Sequence, residues 1–149
     1  MGNDNQVTLH VKSTGENVSL VRMMAGGFLY PYDLTLDMLD EIKIALSEAV
    51  SNCMIHGYEG NEDQTVTVMM SVQNQKLSIE VQDTGVGITD ITQAMEPAFS
   101  TREEHMGLGF VFMQTFMDEL EVFSEPGKGT RVVMRKQLAA DEQKMSEVG

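Results

Sequence analysis

Residues 65–82, TVTVMMSVQNQKLSIEVQ, decide the fold. Thr65–Val72 and Lys76–Gln82 are two strand-favouring runs joined by Gln-Asn-Gln, which predicts an antiparallel hairpin. On the N-terminal side, QVTLHVK (6–12) alternates Val7, Leu9 and Val11, the period of a half-buried strand. Val18, Val21, Ala25, Phe28 and Leu29 recur at helical spacing from Asn17 to about Tyr30, although the Gly26-Gly27 pair weakens the second half. PYDLT (31–35) breaks the chain. Thr35 followed by Met38, Leu39, Ile42, Leu46, Ala49, Val50 and Cys53 predicts a long amphipathic helix ending near Gly57. On the C-terminal side, a Gly-, Thr- and Asp-rich stretch leads into an irregular segment over 88–106. A helix follows from about Gly107 to Met117, and the strands Glu119–Ser124 and Thr130–Lys136 flank the turn EPGKG.

Five strands and about three helices, with the last strands in hairpins, exclude a regular parallel βαβ sheet. The expected fold is α+β, a two-layer sandwich of a mostly antiparallel or mixed sheet with the helices on one face. Residues 1–137 form the single expected domain, and 138–149 a flexible acidic tail. Met24, Met54, Met69 and Met113 are expected to fill core gaps, since a thioether adapts to irregular space; a Met-lined binding surface is the alternative.

The 149 residues suffice for one core but not two, and 42% hydrophobic with 22% charged residues is ordinary globular composition. No apolar stretch approaches the roughly 18–20 residues of a membrane span, and MGNDNQVTLH lacks the pattern of a secretory leader. Cys53, the single cysteine, has no internal disulfide partner, which fits a reducing cytoplasm. Ten Lys and Arg against 23 Asp and Glu leave a formal charge of −13, which argues against non-specific nucleic-acid binding. A polyanion such as ATP would need local geometry and a metal to overcome that field.

Four pieces of the chain carry candidate chemistry. Glu48, Asn52 and His56 are spaced so that each drifts only about 40° around the helix from the last, and the three share one stripe. A carboxylate and an amide oxygen on adjacent turns suit Mg²⁺ and a polarised hydroxyl; a solvated polar face is the other reading. No Cys or second His stands where it would make His56 a zinc site. Asp83-x-Gly85-x-Gly87 ends a strand in a turn that lets a ligand approach the backbone, and the carboxylate can accept the exocyclic amine of adenine. A plain Asp-Gly turn would look alike. Gly107 and Gly109 are expected to open a helix whose N-terminus faces a phosphate, unless they only cap a packed helix. No Walker loop or complete dinucleotide pattern is present. Gly129-Thr130 closes the tight turn EPGKG, which a simple hairpin also explains.

In this order, Glu48-x-x-x-Asn52, Asp83-x-Gly85-x-Gly87, Gly107-x-Gly109 and Gly129-Thr130 resemble the N, G1, G2 and G3 boxes of the GHKL ATPase superfamily. EIKIALSEAVSNCMIHGYE (41–59), VQDTGVGITDI (81–91), PAFSTREE (97–104) and GLGFVFMQTFMDELEVFSEPGKGT (107–130) narrow the likeness to the bacterial anti-sigma factor serine kinases, nearest the sporulation anti-sigma F group. The resemblance covers residues 6–137. It implies Glu48 as general base, Asn52 as Mg²⁺ ligand, Asp83 on adenine N6 with Gly85 and Gly87 shaping the pocket, and Thr130 completing it. Gly107 and Gly109 would set the lid hinge and the phosphate-facing helix start. Met95–Met106 would be the lid, with Thr101, Arg102 and His105 as candidates for the γ-phosphate. The lid is slightly shorter than the family pattern, and His105 stands where an arginine is expected, with Arg102 as its substitute.

The implied activity is ATP- and Mg²⁺-dependent phosphorylation of a serine on an anti-anti-sigma partner, alternating with inhibition of a sigma factor, by a cytoplasmic homodimer that touches neither nucleic acid nor membrane. The alternative is a nucleotide-binding module that only sequesters a sigma factor. Arg22, an isolated cation on the first helix, is the candidate partner contact, or else a surface ion-pair residue.

Overall fold

The computed structural model describes residues 4–95 and 101–138, the side chains of 101–106 excepted. Strand β1 (Asn5–Lys12) is followed by helices α1 (Glu16–Leu29) and α2 (Leu36–Asn52), then by strands β2 (Thr65–Gln73) and β3 (Lys76–Asp83). Helices α3 (Ile91–Ala94) and α4 (Thr101–Phe116) precede strands β4 (Glu119–Glu125) and β5 (Gly129–Gln137). The sheet runs β1-β2-β3-β5-β4, with every neighbouring pair antiparallel. The α+β sandwich expected from the hairpin pattern is what forms.

The central hairpin is tighter than Gln-Asn-Gln suggested. Gln73 pairs with Lys76, leaving a two-residue loop of Asn74 (φ 53°) and Gln75 (φ 64°). Two successive positive φ values match the right-handed twist of the strands they join. From this register the period of two turns Val66, Val68, Met70 and Val72, with Leu77, Ile79 and Val81, onto the buried face. Met69 is therefore not a core filler: it stands on the opposite face, and Met70 fills that place. Met54 and Met113 are buried as expected, and Met24 packs at the margin of the core.

Helices cover the buried face. Val21, Ala25 and Leu29 of α1 meet Ile42, Leu46, Ala49 and Val50 of α2, and Phe110, Met113 and Met117 complete the layer. Thr35 caps α2 by accepting from the Met38 amide at 3.1 Å. After Asn52 the helix widens into one π-helical turn, Cys53–Gly57, closed by the Tyr58 amide on the Cys53 carbonyl at 2.8 Å. That turn steers the chain out of the helix and towards the end of β3. On the other face, ion pairs such as Arg131–Glu80 and Arg135–Glu121 are solvent-exposed and add little to stability. Leu138 is buried, and its amide bonds the Gln75 carbonyl at 2.8 Å, so packing continues through that residue. Residues 139–149, most of the expected tail, lie outside the described residues.

Two expectations are corrected. Among the described residues four α-helices form where about three were expected, the addition being the short α3, which Asp90 caps through its Oδ1 on the Gln93 amide at 3.1 Å. Helix α4 begins at Thr101, not at Gly107, so Gly107 and Gly109 lie inside the helix and its free amide end is elsewhere. Each interior glycine weakens the helix by about 1 kcal/mol but does not end it.

Candidate functional site

Asp83, the last residue of β3, is only 4% exposed. Its Oδ1 accepts the Gly85 amide at 2.9 Å, and the Cys53 thiol and the Thr130 amide also donate to the carboxylate. Burial pushes its pKa above the ordinary aspartate value, and these three hydrogen bonds oppose the shift. Burial likewise raises the Cys53 thiol well above its usual value, reinforced by the neighbouring negative charge of Asp83 and the bond between them. The carboxylate sits in a crowded cradle. A Cβ on Gly57 would stand 2.7 Å from Asp83 Oδ2, and one on Gly85 would overlap the Gly57 carbonyl oxygen, which accepts the Val86 amide at 2.9 Å. Gly87 (φ 76°) packs on the Glu125 carbonyl and Gly129 (φ 88°) on the Asp83 carbonyl, so two of the motif's glycines serve contact between loops.

Thr130 is the register partner of Asp83 across β3 and β5. With Asn52, His56, Ile88, Phe110 and Val132 it lines a pocket into which Asp83 and Cys53 also face. The free volume is about 20 Å³, room for a water but not for a purine. A larger open groove of about 530 Å³ adjoins it along Ser124, Gly129 and Thr130, shared with Ile91 and Lys128.

At the other end stand Glu48 and Asn52, on the expected stripe of α2. Helix α4 crosses them at Gly109, where a Cβ would lie 3.0 Å from Glu48 Oε2 and 3.3 Å from Asn52 Nδ2. The glycine allows that approach. Asn52 Nδ2 is buried and has no hydrogen-bond partner among the described residues. A buried amide with an unused polar atom is destabilising unless something completes it, and here that atom marks a place for a polar ligand. No group of three or more acidic, His or Cys side chains gathers to hold a metal among the described residues. The amide oxygen of Asn52 suits a Mg²⁺ that takes few protein ligands and shares the rest with substrate phosphates.

The structure thus brings together Asn52, Asp83, Gly87 and Thr130, places Glu48 and Gly109 at one end and Gly85 at the other, and keeps Gly107 buried within α4. Arg22 is exposed on α1 and does not line the pocket. The side chains of Thr101, Arg102 and His105, and residues 96–100 of the expected lid, lie outside the described residues. Sequence reasoning missed Gly57, Cys53 as a partner of Asp83, Phe110 and Ser124. Ser124 left a signal: β4 alternates, and a hydroxyl follows Leu120 and Val122 on the inward side. Among the described residues no helix is long and apolar enough to cross a membrane.

The sequence profile of the histidine kinase-like ATPase domain matches residues 11–136. The chain is 48% identical over 139 residues to the anti-sigma F factor of Thermoanaerobacter sp. (strain X514), covering 92% of this chain and 96% of that one. It is 42% identical over 138 residues to the anti-sigma F factor of Clostridium acetobutylicum, covering 91% and 96%. Among solved structures, its fold is similar to the RsbU and RsbW domains of a Mycobacterium tuberculosis protein, with a TM-score of 0.65 at 17% identity. That match takes in 90% of this chain and 32% of the longer one. The histidine kinase domain of a blue-light activated kinase from Erythrobacter litoralis superposes with a TM-score of 0.57 at 17% identity, over 92% of this chain and 66% of that one.

Proposed function

The chain belongs to the histidine kinase-like ATPase family and, within it, to the anti-sigma F factors, and from that premise we propose that it inhibits an RNA polymerase sigma factor and, with ATP and Mg²⁺, phosphorylates a serine of an anti-anti-sigma partner. It does so as a cytoplasmic homodimer. The observation that carries this reading is one pocket lined by the buried carboxylate of Asp83 and by the incompletely bonded amide of Asn52, with the Glu48 carboxylate beside that amide where α4 crosses at Gly109.

Asp83 takes the adenine amine, with Thr130 beside it and Gly85 and Gly87 keeping the walls thin. Asn52 would hold Mg²⁺, and Thr101 and Arg102, on the first turns of α4, would hold the γ-phosphate. Bound Mg²⁺ would neutralise charge building on the transferring phosphoryl group. Glu48 accepts the proton of the incoming serine hydroxyl as its oxygen bonds to phosphorus and the bond to the β-phosphate oxygen breaks, releasing ADP. Gly109 lets α4 lie close to Glu48 and Asn52, and with Gly107 it sets the hinge on which α4 swings outward. Exposed Arg22, with Leu20 and Met23 also exposed on α1, is the partner contact.

Incubating the protein with γ-labelled ATP, Mg²⁺ and an anti-anti-sigma protein tests the reading. Label on the partner's serine is expected; nucleotide uptake without label would leave only sequestration of the sigma factor. Glu48→Ala should slow transfer about 10²–10⁴-fold with ATP affinity nearly intact, because it removes a base alone. Asn52→Ala should lose Mg²⁺-dependent nucleotide affinity in calorimetry without lowering the thermal midpoint of the free protein, since the unsatisfied buried amide goes with it.

A further inference from the structure

Ser124 has no part in the reading above, and its hydrogen bonds supply one. Its Oγ accepts the Ile88 amide at 2.7 Å, donates to the Gly129 carbonyl at 3.0 Å, and lies 2.8 Å from Thr130 Oγ1. A hydroxyl has one proton and two lone pairs, and a carbonyl can only accept. The Ser124 proton is therefore committed to Gly129, one lone pair to Ile88, and the remaining lone pair to Thr130. It follows that Thr130 is the donor in the 2.8 Å contact and turns only lone pairs towards the pocket that it lines with Asp83. Asp83, ionised, is also an acceptor only.

We propose that Ser124 is a specificity-determining positioning residue: by taking the Thr130 proton, it leaves the base end of the pocket with acceptors alone. Facing the C6 substituent, such a wall accepts from an amine and sets acceptor against acceptor with a 6-oxo group, so it favours the 6-amino purine at that position. The inference deepens the ATP reading and rests on it. Ser124 also joins the loop after β3 to the start of β5, so a merely structural role would weaken all nucleotides alike.

Calorimetric titration with Mg²⁺ and either ATP or inosine triphosphate, its 6-oxo analogue, separates the two. The parent protein should prefer ATP at least about tenfold. Ser124→Ala frees the Thr130 proton to meet a 6-oxo group, and should narrow the ratio about tenfold by raising inosine triphosphate affinity. Ser124→Thr keeps the hydroxyl and should restore the parent ratio. An unchanged ratio in folded Ser124→Ala that still takes ATP overturns the inference, whereas a parent protein that takes up no ATP overturns the ATP reading itself. Should Ser124→Ala not fold, Thr130→Val decides the matter. If Thr130 only accepts, the valine costs ATP affinity and spares inosine triphosphate; a greater loss of inosine triphosphate than of ATP overturns the assignment.

Discussion

The two ends of the pocket are made of different material. Around Asp83 the loops pack main chain against main chain, with the carboxylate fed by three donors and held against Gly57, and with Gly85, Gly87 and Gly129 too close to neighbouring backbone to admit a methyl group. Around Glu48 and Asn52 the contacts are side-chain ends of α2 against the backbone of α4, and the Asn52 amide nitrogen has no partner among the described residues. The first end cannot shift without parting the loops that build it. The second can, because a side-chain rotation or a small displacement of α4 breaks no backbone ladder. The base end is therefore the fixed wall of the pocket, and α4 is the side that can yield.

One substitution, glycine to alanine, separates the two ends most clearly. Gly85→Ala drives a methyl group into the Gly57 carbonyl, and neither backbone can yield, so urea unfolding should show a loss of about 3 kcal/mol or more. A loss below about 1 kcal/mol would show the Asp83 end to be as pliable as the other. Gly109→Ala meets only the far ends of Glu48 and Asn52, at 3.0 and 3.3 Å, and gains helix propensity of up to about 1 kcal/mol. Its stability should change by less than about 1 kcal/mol, while nucleotide affinity and transfer fall about tenfold as the two side chains are displaced. Equal loss of stability in both variants would erase the contrast.

The smallest effect lies in pH. Asp83 holds its proton more tightly folded than unfolded, because burial raises its pKa. Between the ordinary aspartate value and the raised one, the folded state binds more protons than the unfolded state, so this residue's contribution to stability grows as pH falls through that window and declines as pH rises through it. Urea midpoints of the parent and of Asp83→Asn, compared from neutral pH downward, should therefore diverge in the parent's favour. A constant gap would mean that the hydrogen bonds from Gly85, Cys53 and Thr130 cancel the effect of burial.

Legibility in the sequence followed the range of each interaction. The alternation of β2 and β3, the Thr35 cap and the stripe of Glu48, Asn52 and His56 depend on neighbours a few residues away, and all were readable. The start of α4 was not, because Gly107 and Gly109 look like a helix boundary until the approach of α2 is known. Met69 was misplaced for a related reason: either of two adjacent methionines suits a strand, and the register against β1 and β3 assigns Met70 to the core. Gly57 escaped notice because its partners, Asp83 and Gly85, lie 26 to 28 residues away, and the bond from Ser124 to Ile88, 36 residues away, is equally invisible along the chain. The roles of Thr101 and Arg102 stay proposals resting on the family likeness.

Hydrophobic period, turn chemistry and box order were enough to name the architecture and the family, since each is written in spacings along the chain. Folding added which glycines touch, which amide is left unsatisfied, where a helix begins and which hydroxyl owns a shared proton. Those outcomes depend on excluded volume and hydrogen-bond accounting between segments far apart in sequence, and they exist only once the segments meet.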